Sequence, residues 1–383
     1  MGLAIDDLMR PTWAEISLPA LQRNYERIRA LAGQRRVMAV VKADAYGHGA
    51  VAVSKRLAQC GVDWFGVATA EEAVELRNAG ITQPILLLGG LYMSDAAAIL
   101  EYNLVPSVSS TARLDTYAEC ARRHDREIAF HLKVDTGLGR LGVPLDRFTA
   151  FLEHYRTLEG LNFEGIFTHL ASSEDLVALQ TEEQLARFHK DMTQLPWFDI
   201  EPKWIHVSNS AALLLRHDTQ ENMVRIGALL YGYCVPPVLP SGLMLPDLPE
   251  FEPILALKSR VVYLKDVASG TPLGYGASFY TRRPSRVATV PVGYADGLSR
   301  ALSNRGRAIV NDHYCRIVGN ISMDLTMMDV TDIPGVAVGD EVTLIGKTES
   351  CAISALEIAN ELNTVPYEVL CLIGKRVPRL YLE

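Results

Sequence analysis

A lysine at the end of an apolar stretch is the first residue in this sequence that could do chemistry. Lys42 directly follows the apolar residues 37–41, and Asp44, Tyr46 and His48 come within the next six positions. A long lysine side chain can lie along apolar surface and keep its ammonium group in water. A lysine that is buried instead, with a lowered pKa, can form a Schiff base with a carbonyl compound. Lys42 is therefore a candidate for covalent binding of a carbonyl-bearing cofactor.

The apolar stretch before Lys42 is one of a series of segments that we interpret as buried strands. Such segments are short, rich in valine, isoleucine and leucine, and apolar throughout, as in parallel strands covered on both faces. Eight of them alternate with helical patterns over roughly 230 residues, which predicts an α/β fold with a (β/α)8 barrel of the TIM type. A doubly wound sheet is the alternative, but eight units favour closure. The predicted strands are residues 37–41, 64–68, 85–88, 104–108, 128–134, 163–168, 203–207 and 223–226, with helices at 70–79, 111–123, 146–157 and 181–195 among others.

Polar residues recur at the carboxyl ends of these predicted strands. In a barrel of this type the active site lies at that end, whichever reaction it catalyses. The opposite ends hold no comparable cluster in the sequence. We therefore expect one site, built from Lys42 and from the residues that follow four further strands, which are 133–140, 168–169, 208–210 and 225–227.

The composition changes after the predicted barrel. Residues 236–253 are rich in proline and lack periodicity, which is typical of a linker. The predicted domains are therefore a barrel at 1–240 and a mostly β C-terminal domain at 241–383. Strands of the second domain are predicted at 261–267, 287–292, 308–310, 315–318 and 342–345, followed by a helix at 354–362 and a last extended segment at 367–382.

Composition and charge argue against several classes of protein. The 383 residues carry a formal net charge of −8, whereas a nucleic-acid partner would call for a basic face. No apolar run approaches the ~18 residues of a membrane helix. The first residues lack a basic region followed by an apolar core, so we expect a cytoplasmic protein. The six cysteines are scattered without paired spacing, which predicts free thiols and no metal site.

Pyridoxal phosphate is the carbonyl cofactor whose requirements this pattern meets. It needs a lysine, a phosphate cradle and a partner for its pyridine nitrogen. Barrels of this type often hold phosphate with the loops after strands 7 and 8, where this sequence has Asn209, Ser210 and Gly227. A hydroxyl group and accessible backbone N–H groups suit a phosphate. Ser210 by itself could equally be the cap of a helix.

Seven segments of the sequence together resemble the alanine racemase family, in the family's order and over nearly the whole chain. The segment around Lys42 is similar to the family's cofactor-lysine signature. The resemblance implies a pyridoxal phosphate enzyme that interconverts L-alanine and D-alanine and supplies D-alanine for peptidoglycan. It also implies a homodimer with shared active sites. The segments are 39–49, 135–142, 206–212, 274–276, 293–297, 321–324 and 376–379.

The resemblance implies a role for each matching residue. Lys42 would bind the cofactor and act as one base, and Tyr275 would be the second base, in the active site of the partner subunit. Two bases are needed because one group cannot readily reach both faces of the substrate Cα. Arg140 and the backbone N–H of Met323 would bind the substrate carboxylate, and Lys133 matches a position that is carbamylated in some members. The other cofactor-binding residues would be Tyr46, His169, Asn209, Ser210, Arg225, Gly227 and Tyr367.

Arg225 would face the pyridine nitrogen of the cofactor. An arginine stays protonated and only donates hydrogen bonds, so the cofactor would become a weaker electron sink and side transamination would be limited. Family members commonly have arginine where this sequence has Asn320, and aspartate where it has Glu174. These two differences leave open how strictly the enzyme would prefer alanine. Tyr367 is the residue expected for alanine. The passage by which substrate enters would be lined by Glu174, Tyr294, Arg300 and Asn320.

The sequence leaves three alternatives. A racemase of broader spectrum is the first, but such an enzyme would be periplasmic, and no signal peptide is visible in the first residues. A pyridoxal phosphate-dependent decarboxylase of basic amino acids would share the architecture, but it would place a carboxylate at the pyridine nitrogen instead of Arg225. A non-catalytic carrier of the cofactor, built as a single barrel, would lack the second domain that holds Tyr275 and Met323.

Overall fold

The computed structural model describes residues 8–89, 95–216, 219, 221–234, 237–239 and 248–383. The domain boundary predicted at 240/241 and much of the linker predicted at 236–253 lie outside these residues. The described residues form two compact units. We name them the barrel unit, which comprises residues 22–45 and 50–251, and the sheet unit, which comprises the residues up to 21, 46–49 and those from 252 onward.

Parallel strands close into a barrel at the centre of the barrel unit. The strands up to residue 251 are β1 (Thr12–Ser17), β2 (Arg36–Val40), β3 (Trp64–Val67), β4 (Ile85–Leu87), β5 (Val105–Val108), β6 (Ile128–Asp135), β7 (Val143–Pro144), β8 (Leu161–Phe167), β9 (Trp204–His206) and β10 (Met223–Ile226). Around the barrel the order is β2, β3, β4, β5, β6, β8, β9 and β10, and β10 pairs with β2 to close it. These eight strands lie within two residues of the predicted ones, so the (β/α)8 prediction is confirmed.

Helices connect the barrel strands, as the alternating pattern predicts. Local signals explain where several of them begin. Thr69 accepts the backbone N–H of Glu72 and so caps a helix, while the Glu72 carboxylate accepts the N–H of Thr69 in return. The helices are α1 (Leu18–Ala32), the short left-handed turn α2 (Lys42–Gly47), α3 (Ala50–Gln59), α4 (Ala70–Asn78), α5 (Asp95–Glu101), α6 (Thr111–His124), α7 (Phe148–Tyr155), α8 (Gln180–Met192) and α9 (Ser210–Leu215).

The sheet unit is mostly β, which confirms the second half of the predicted fold. Its strands after residue 251 are β11 (Leu255–Arg260), β12 (Tyr263–Val267), β13 (Pro272–Leu273), β14 (Phe279–Tyr280), β15 (Ser285–Val290), β16 (Arg307–Val310), β17 (His313–Ile317), β18 (Thr326–Asp329), β19 (Glu341–Lys347), β20 (Ala352–Ile353) and β21 (Arg379–Leu382). Most of them join one sheet in the order β12, β15, β18, β17, β16, β19, β11, β1 and β21. The N-terminal strand β1 thus pairs with β11 and β21 instead of entering the barrel.

The prediction that residues 367–382 are extended is wrong for the first part of this segment. Two helices, α10 (Ala355–Leu362) and α11 (Pro366–Cys371), precede β21 in the sheet unit. Pro366 occupies the first turn of α11, where its missing N–H costs nothing and its fixed φ suits a helix. Buried Val369 and Leu370 then pack on the inner face of this short helix. Tyr367 therefore lies on a helix.

The described part of the chain shows neither a membrane-crossing helix nor a cluster of metal-ligating side chains. No helix in the described part of the chain has the length and apolar character needed to cross a membrane. Within the same ranges, no cluster of three or more histidine, cysteine, aspartate or glutamate side chains could hold a metal ion.

Candidate active site

Lys42 begins a turn of left-handed helix that the sequence did not reveal. Residues 43–46 all have φ between +53° and +56°, a region that costs a residue with a side chain roughly 1–2 kcal/mol. The Glu72 carboxylate accepts the N–H of Ala43 at 2.7 Å, and the Asp44 carboxylate accepts the first N–H of α3 at 2.7 Å. Backbone strain of this kind persists where the surroundings over-determine the chain, often at functional sites. The left-handed turn after Lys42 is therefore held in place by these two carboxylates.

Arg225 lies buried in β10, and none of its hydrogen bonds to the described residues goes to a carboxylate. Its Nη atoms donate to the carbonyl oxygens of Thr168, His206 and Val207 at 2.7–3.1 Å. They also face Nδ1 of His206 at 3.0 Å and Nδ1 of His169 at 3.3 Å. Burial lowers the pKa of Arg225 to about 10, so the guanidinium stays charged at neutral pH. With both Nη atoms engaged, the Nε–H is the donor left available among the described groups.

His169 is held neutral beside Arg225. Burial, and then the positive charges of Arg225 and Lys133, lower the pKa of His169 to about 3. Because arginine can only donate, Nδ1 of His169 accepts and its ring proton lies on Nε2. His169 therefore presents an N–H donor on the side of the ring away from Arg225.

Positive charges accumulate around Lys133 in β6. Its side chain is buried, and burial, followed by the charges of Arg225, Arg140 and Lys42, lowers its pKa to about 8, while Asp135 opposes the shift. An excess of cations over anions at the carboxyl ends of the barrel strands favours anionic ligands. Four residues predicted for the site, Lys42, Lys133, Arg140 and Arg225, are thus brought together here.

The loop after β6 directs Arg140 outward. The Asp135 carboxylate accepts the backbone N–H groups of Gly137 at 3.1 Å and Gly139 at 3.0 Å, which folds the loop back on the strand end. Arg140 is exposed and forms no hydrogen bond or ion pair with the described residues. Its guanidinium is therefore available to an anionic group.

Backbone N–H groups meet at Ser210, where the sequence predicted a phosphate cradle. The N–H groups of Gly227 and Leu229 lie 3.3 Å and 3.4 Å from Oγ of Ser210. Asn209 caps α9, since its side chain accepts the N–H of Ala212 at 2.9 Å. The cap interpretation of this segment therefore applies to Asn209, while Ser210 and two N–H groups form a polar cradle.

Residues of α8 support the ends of β6 and β8 in a way that the sequence analysis missed. Gln184 is fully buried, and its amide donates to Oγ1 of Thr136 at 3.2 Å and to the carbonyl oxygen of His169 at 3.1 Å. Thr136 in turn contacts Oγ1 of Thr168 at 2.8 Å. A buried glutamine in an amphipathic helix was the signal available, because such a group needs partners at the site it faces.

Tyr275 stands at the tip of a small hairpin in the sheet unit. It follows β13 and precedes β14, and its side chain is 75% exposed. Gly274 before it has φ of +75°, and a Cβ there would lie 2.8 Å from the backbone nitrogen of Asn320. The Asn320 amide donates to the carbonyl oxygen of Tyr275 at 2.8 Å. The tyrosine is thus displayed on a tethered loop, although Asn320 was predicted only to line a passage.

Met323 presents its backbone N–H in a tight turn of the sheet unit. No acceptor among the described residues is hydrogen-bonded to this N–H, whereas the Met323 carbonyl accepts the N–H of Ala295 at 3.1 Å. A Cβ on Gly293 would lie 2.3 Å from the carbonyl oxygens of Met323 and Ser322, so this close approach requires glycine. The adjacent Tyr294 is 42% exposed.

The remaining predicted residues divide between the units. Tyr46 and Tyr367 belong to the sheet unit, where their rings meet edge to face at 5.7 Å between centroids. Burial, and then Tyr367 and Cys371, raise the pKa of Tyr46. Arg300, also in the sheet unit, is exposed, and Glu174 lies half-buried in the barrel loop after β8.

The chain matches two family descriptions that together span most of its length. Residues 16–235 match the alanine racemase N-terminal domain, and residues 254–381 match the alanine racemase C-terminal domain. The chain belongs to the alanine racemase family. It is 40% identical over 378 residues to alanine racemase 2 of Caldanaerobacter subterraneus subsp. tengcongensis, which covers 98% of this chain and 96% of the relative. The chain is therefore an enzyme of the racemase class.

Solved structures of racemases share the fold. The alanine racemase of Clostridium difficile 630 superposes with a TM-score of 0.91 at 35% identity, covering 98% of this chain and 97% of the other. The alanine racemase from Bartonella henselae with covalently bound pyridoxal phosphate superposes with a TM-score of 0.86 at 30% identity, covering 97% and 99%.

Proposed function

We propose that this protein interconverts L-alanine and D-alanine with pyridoxal phosphate bound at Lys42. The observation that carries the proposal is the environment of Arg225, a buried guanidinium without a carboxylate partner among the described residues, whose Nε–H is still available. Such a donor suits a pyridine nitrogen that receives a hydrogen bond but no full proton. Relatives named alanine racemases over almost the full length support the same reaction.

The residues of the barrel unit fit the polar groups of pyridoxal phosphate. Lys42 would bind the aldehyde carbon, the N–H groups that meet at Ser210 would donate to the phosphate, and Arg225 would donate to the pyridine nitrogen. When bound, the cofactor would draw electrons from the substrate Cα and make its proton easier to remove. The residues proposed to complete the cofactor site are Tyr46, His169, Asn209, Gly227 and Tyr367.

Lys42 and Tyr275 are the proposed bases. Each would remove or return the Cα proton on its own face of the substrate, because one group cannot readily reach both faces. The exposure of Tyr275 at a hairpin tip supports its entry into the active site of a second copy. We therefore propose a homodimer in which each site takes Tyr275 from the other chain.

The substrate carboxylate is the proposed ligand of Arg140 and of the Met323 N–H. Lys133 would orient Arg140 after carbamylation, in which the neutral amine attacks carbon dioxide, an N–C bond forms and one proton leaves. A pKa of about 8 leaves more neutral amine at pH 7 than an ordinary lysine has. The resulting anion would offset the positive charges of Arg225 and Lys42.

The same environment of Arg225 disfavours the decarboxylase alternative. That reaction class would place a carboxylate at the pyridine nitrogen, where a proton could be shared. Arg225 would instead donate a hydrogen bond that leaves that nitrogen unprotonated, which would weaken the cofactor as an electron sink and limit transamination. Reprotonation at Cα, which is racemisation, is then the favoured outcome.

Substrate access and cellular role complete the proposal. We propose that the passage for substrate is lined by Glu174, Tyr294, Arg300 and Asn320, and that a broader substrate range would originate there. A cytoplasmic location is supported by the six cysteines, none of which forms a disulfide bond with another described residue. The product D-alanine would serve peptidoglycan synthesis.

One experiment separates these functions. The purified protein is loaded with pyridoxal phosphate and incubated in deuterated water with L-alanine, L-serine or L-lysine. We expect Cα deuterium and the D-enantiomer from alanine, and no carbon dioxide from lysine. D-serine formation would extend the range to a broader racemase, whereas absence of Cα exchange with alanine would refute the proposed function.

A further inference from the structure

A polar chain crosses the barrel interior from Arg225 to Glu164. Interiors of TIM-type barrels are normally packed with branched aliphatic side chains, so fully buried imidazole rings there require an explanation. Arg225 contacts His206, and His206 contacts His131. The Glu164 carboxylate, whose side chain is 18% exposed, lies at the other end. We name these four residues the buried relay.

The contacts of the buried relay determine which ring nitrogens carry protons. Arginine only donates, so Nδ1 of His206, 3.0 Å from Arg225, must accept. Burial lowers the pKa of His206 well below its ordinary value, so its ring is neutral and its proton lies on Nε2. That Nε2–H donates to Nδ1 of His131 at 2.8 Å. Burial also lowers the pKa of His131, which therefore carries its one proton on Nε2, 3.7 Å from Glu164.

A β-bulge places Glu164 opposite this N–H. Phe130 pairs with Phe163 between β6 and β8, but His131 pairs with Gly165, so Glu164 is the extra residue of the bulge. Bulges re-aim side chains in this way. A Cβ at Gly165 would lie 2.8 Å from three ring atoms of His131, so the glycine leaves room for the ring. The local backbone is thus built to bring the carboxylate and the ring together.

Glu164 acts on His131 through charge. The separation of 3.7 Å is longer than a hydrogen bond, but a carboxylate in a poorly solvated setting still favours an N–H directed at it. The opposite tautomer of His131 would place its Nδ1–H against the Nε2–H of His206. His206 would then have to carry its proton on Nδ1, facing an Arg225 nitrogen that cannot accept.

We propose that Glu164 is a positioning residue that acts through His131 and His206. It keeps Nδ1 of His206 as a hydrogen-bond acceptor facing Arg225. The direction of the Arg225 Nε–H is thereby fixed. This inference rests on the proposed function, since bound pyridoxal phosphate gives that donor its task. Glu164 would act without touching substrate or cofactor. It lies at the middle of β8, three residues before the strand ends at Phe167.

If the role of Glu164 were purely structural, its replacement would have different effects. Its carboxylate also accepts the indole N–H of Trp204 at 3.4 Å and lies 4.0 Å from Nζ of Lys203, which is largely exposed. If Glu164 served only this cluster, its replacement would lower stability but leave the histidine tautomers and kcat of the folded enzyme unchanged.

The tautomers can be read directly by 15N NMR of ring-labelled histidine, with His131 and His206 assigned through single glutamine variants. We expect both rings to carry the proton on Nε2, with and without pyridoxal phosphate. Glu164→Gln should shift the His206 Nδ1 signal and populate the other tautomer. A protonated Nδ1 on His206 in the wild-type protein would overturn the inference, even if every Glu164 variant failed to fold.

Kinetics of the holoenzyme supply the second readout. Glu164→Gln should lower kcat for alanine racemisation roughly 2- to 30-fold, the range of effects carried through packed contacts. KM should change less than about twofold. Glu164→Asp should recover part of kcat, because it keeps the negative charge that acts on His131. Glu127→Gln, at an exposed carboxylate that accepts from Asn162, is the matched control. A folded Glu164→Gln enzyme with unchanged kcat and histidine signals would refute the inference.

The two proposals fail in distinguishable ways. Absence of alanine racemisation by the wild-type holoenzyme would refute the proposed function alone. The tautomers measured on the protein without cofactor test the buried relay independently of any activity.

Discussion

The side chain of Asn320 holds the backbone of Tyr275, because its amide donates to the Tyr275 carbonyl oxygen at 2.8 Å. The resemblance to the family implies only that Asn320 would replace an arginine in an access passage. In the sheet unit it is a tether for the loop that displays the proposed second base. Asn320 therefore has a local structural role.

Replacing Asn320 with alanine removes this tether. A typical intramolecular hydrogen bond contributes about 0.5–1.5 kcal/mol, so Asn320→Ala should lower kcat/KM for alanine roughly 2- to 10-fold. Steady-state racemisation of both enantiomers measures the effect. Asn360→Ala is the control, at an exposed asparagine of α10 without a side-chain hydrogen bond to the described residues. Equal activities of the two variants would contradict the tethering role.

Complementation tests whether Lys42 and Tyr275 act from different chains. Lys42→Ala and Tyr275→Phe should each abolish racemisation as pure proteins. In a heterodimer of the two variants, one site combines Lys42 from one chain with Tyr275 from the other, so activity should return. The mixed sample is refolded together and assayed against each parent. Continued inactivity of verified heterodimers would place both bases in the same chain.

Gly274 should tolerate a side chain much less well than Gly270. Both have positive φ, +75° and +79°, but only at Gly274 would a Cβ meet other atoms, 2.8 Å from the Asn320 nitrogen. Gly270→Ala should cost about 1–2 kcal/mol for its φ alone. Gly274→Ala should cost about 1–3 kcal/mol more through the steric conflict. Urea unfolding midpoints and kcat compare the variants, and equal midpoints would show that the loop shifts freely.

Lys133 should make stability depend on pH in a defined window. Its pKa in the folded protein is about 8, whereas an unfolded lysine titrates near about 10.4. The unfolded chain binds more protons between these values, so the free energy of unfolding rises with pH there. The rise should be about 3 kcal/mol, and below pH 8 the cost of burying the ammonium is present in full. Urea unfolding without cofactor or carbon dioxide measures it, and Lys133→Met should lack the rise.

In bicarbonate solution, carbamylation of Lys133 would change the pH dependence of the free energy of unfolding. A 13C carbamate signal should appear with labelled bicarbonate and grow as the amine loses its proton. It should be absent in Lys133→Met and present in Lys190→Met, a control at an exposed lysine of α8. A wild-type spectrum without the signal would mean that Lys133 orients Arg140, if at all, as the unmodified amine.

The barrel could be predicted because its strands carry their own signal. Each strand is a short apolar run between helical patterns, so consecutive residues by themselves indicate burial on both faces. For the same reason Lys42 could be placed at a strand end. By contrast, residues 367–371 are predicted as extended but lie in α11, a helix of six residues that is too short to show a helical period and that lies against α10.

The sequence by itself determined the barrel, the mostly β second domain and the residue types available at the strand ends. Only the tertiary structure decided that β1 joins the sheet unit, that residues 43–46 adopt a left-handed turn, and that a bulge turns Glu164 toward His131. These features depend on partners distant in sequence, whose geometry can outweigh local preference. The periodicity of apolar residues indicates which side chains are buried. It does not indicate which buried side chains contact one another.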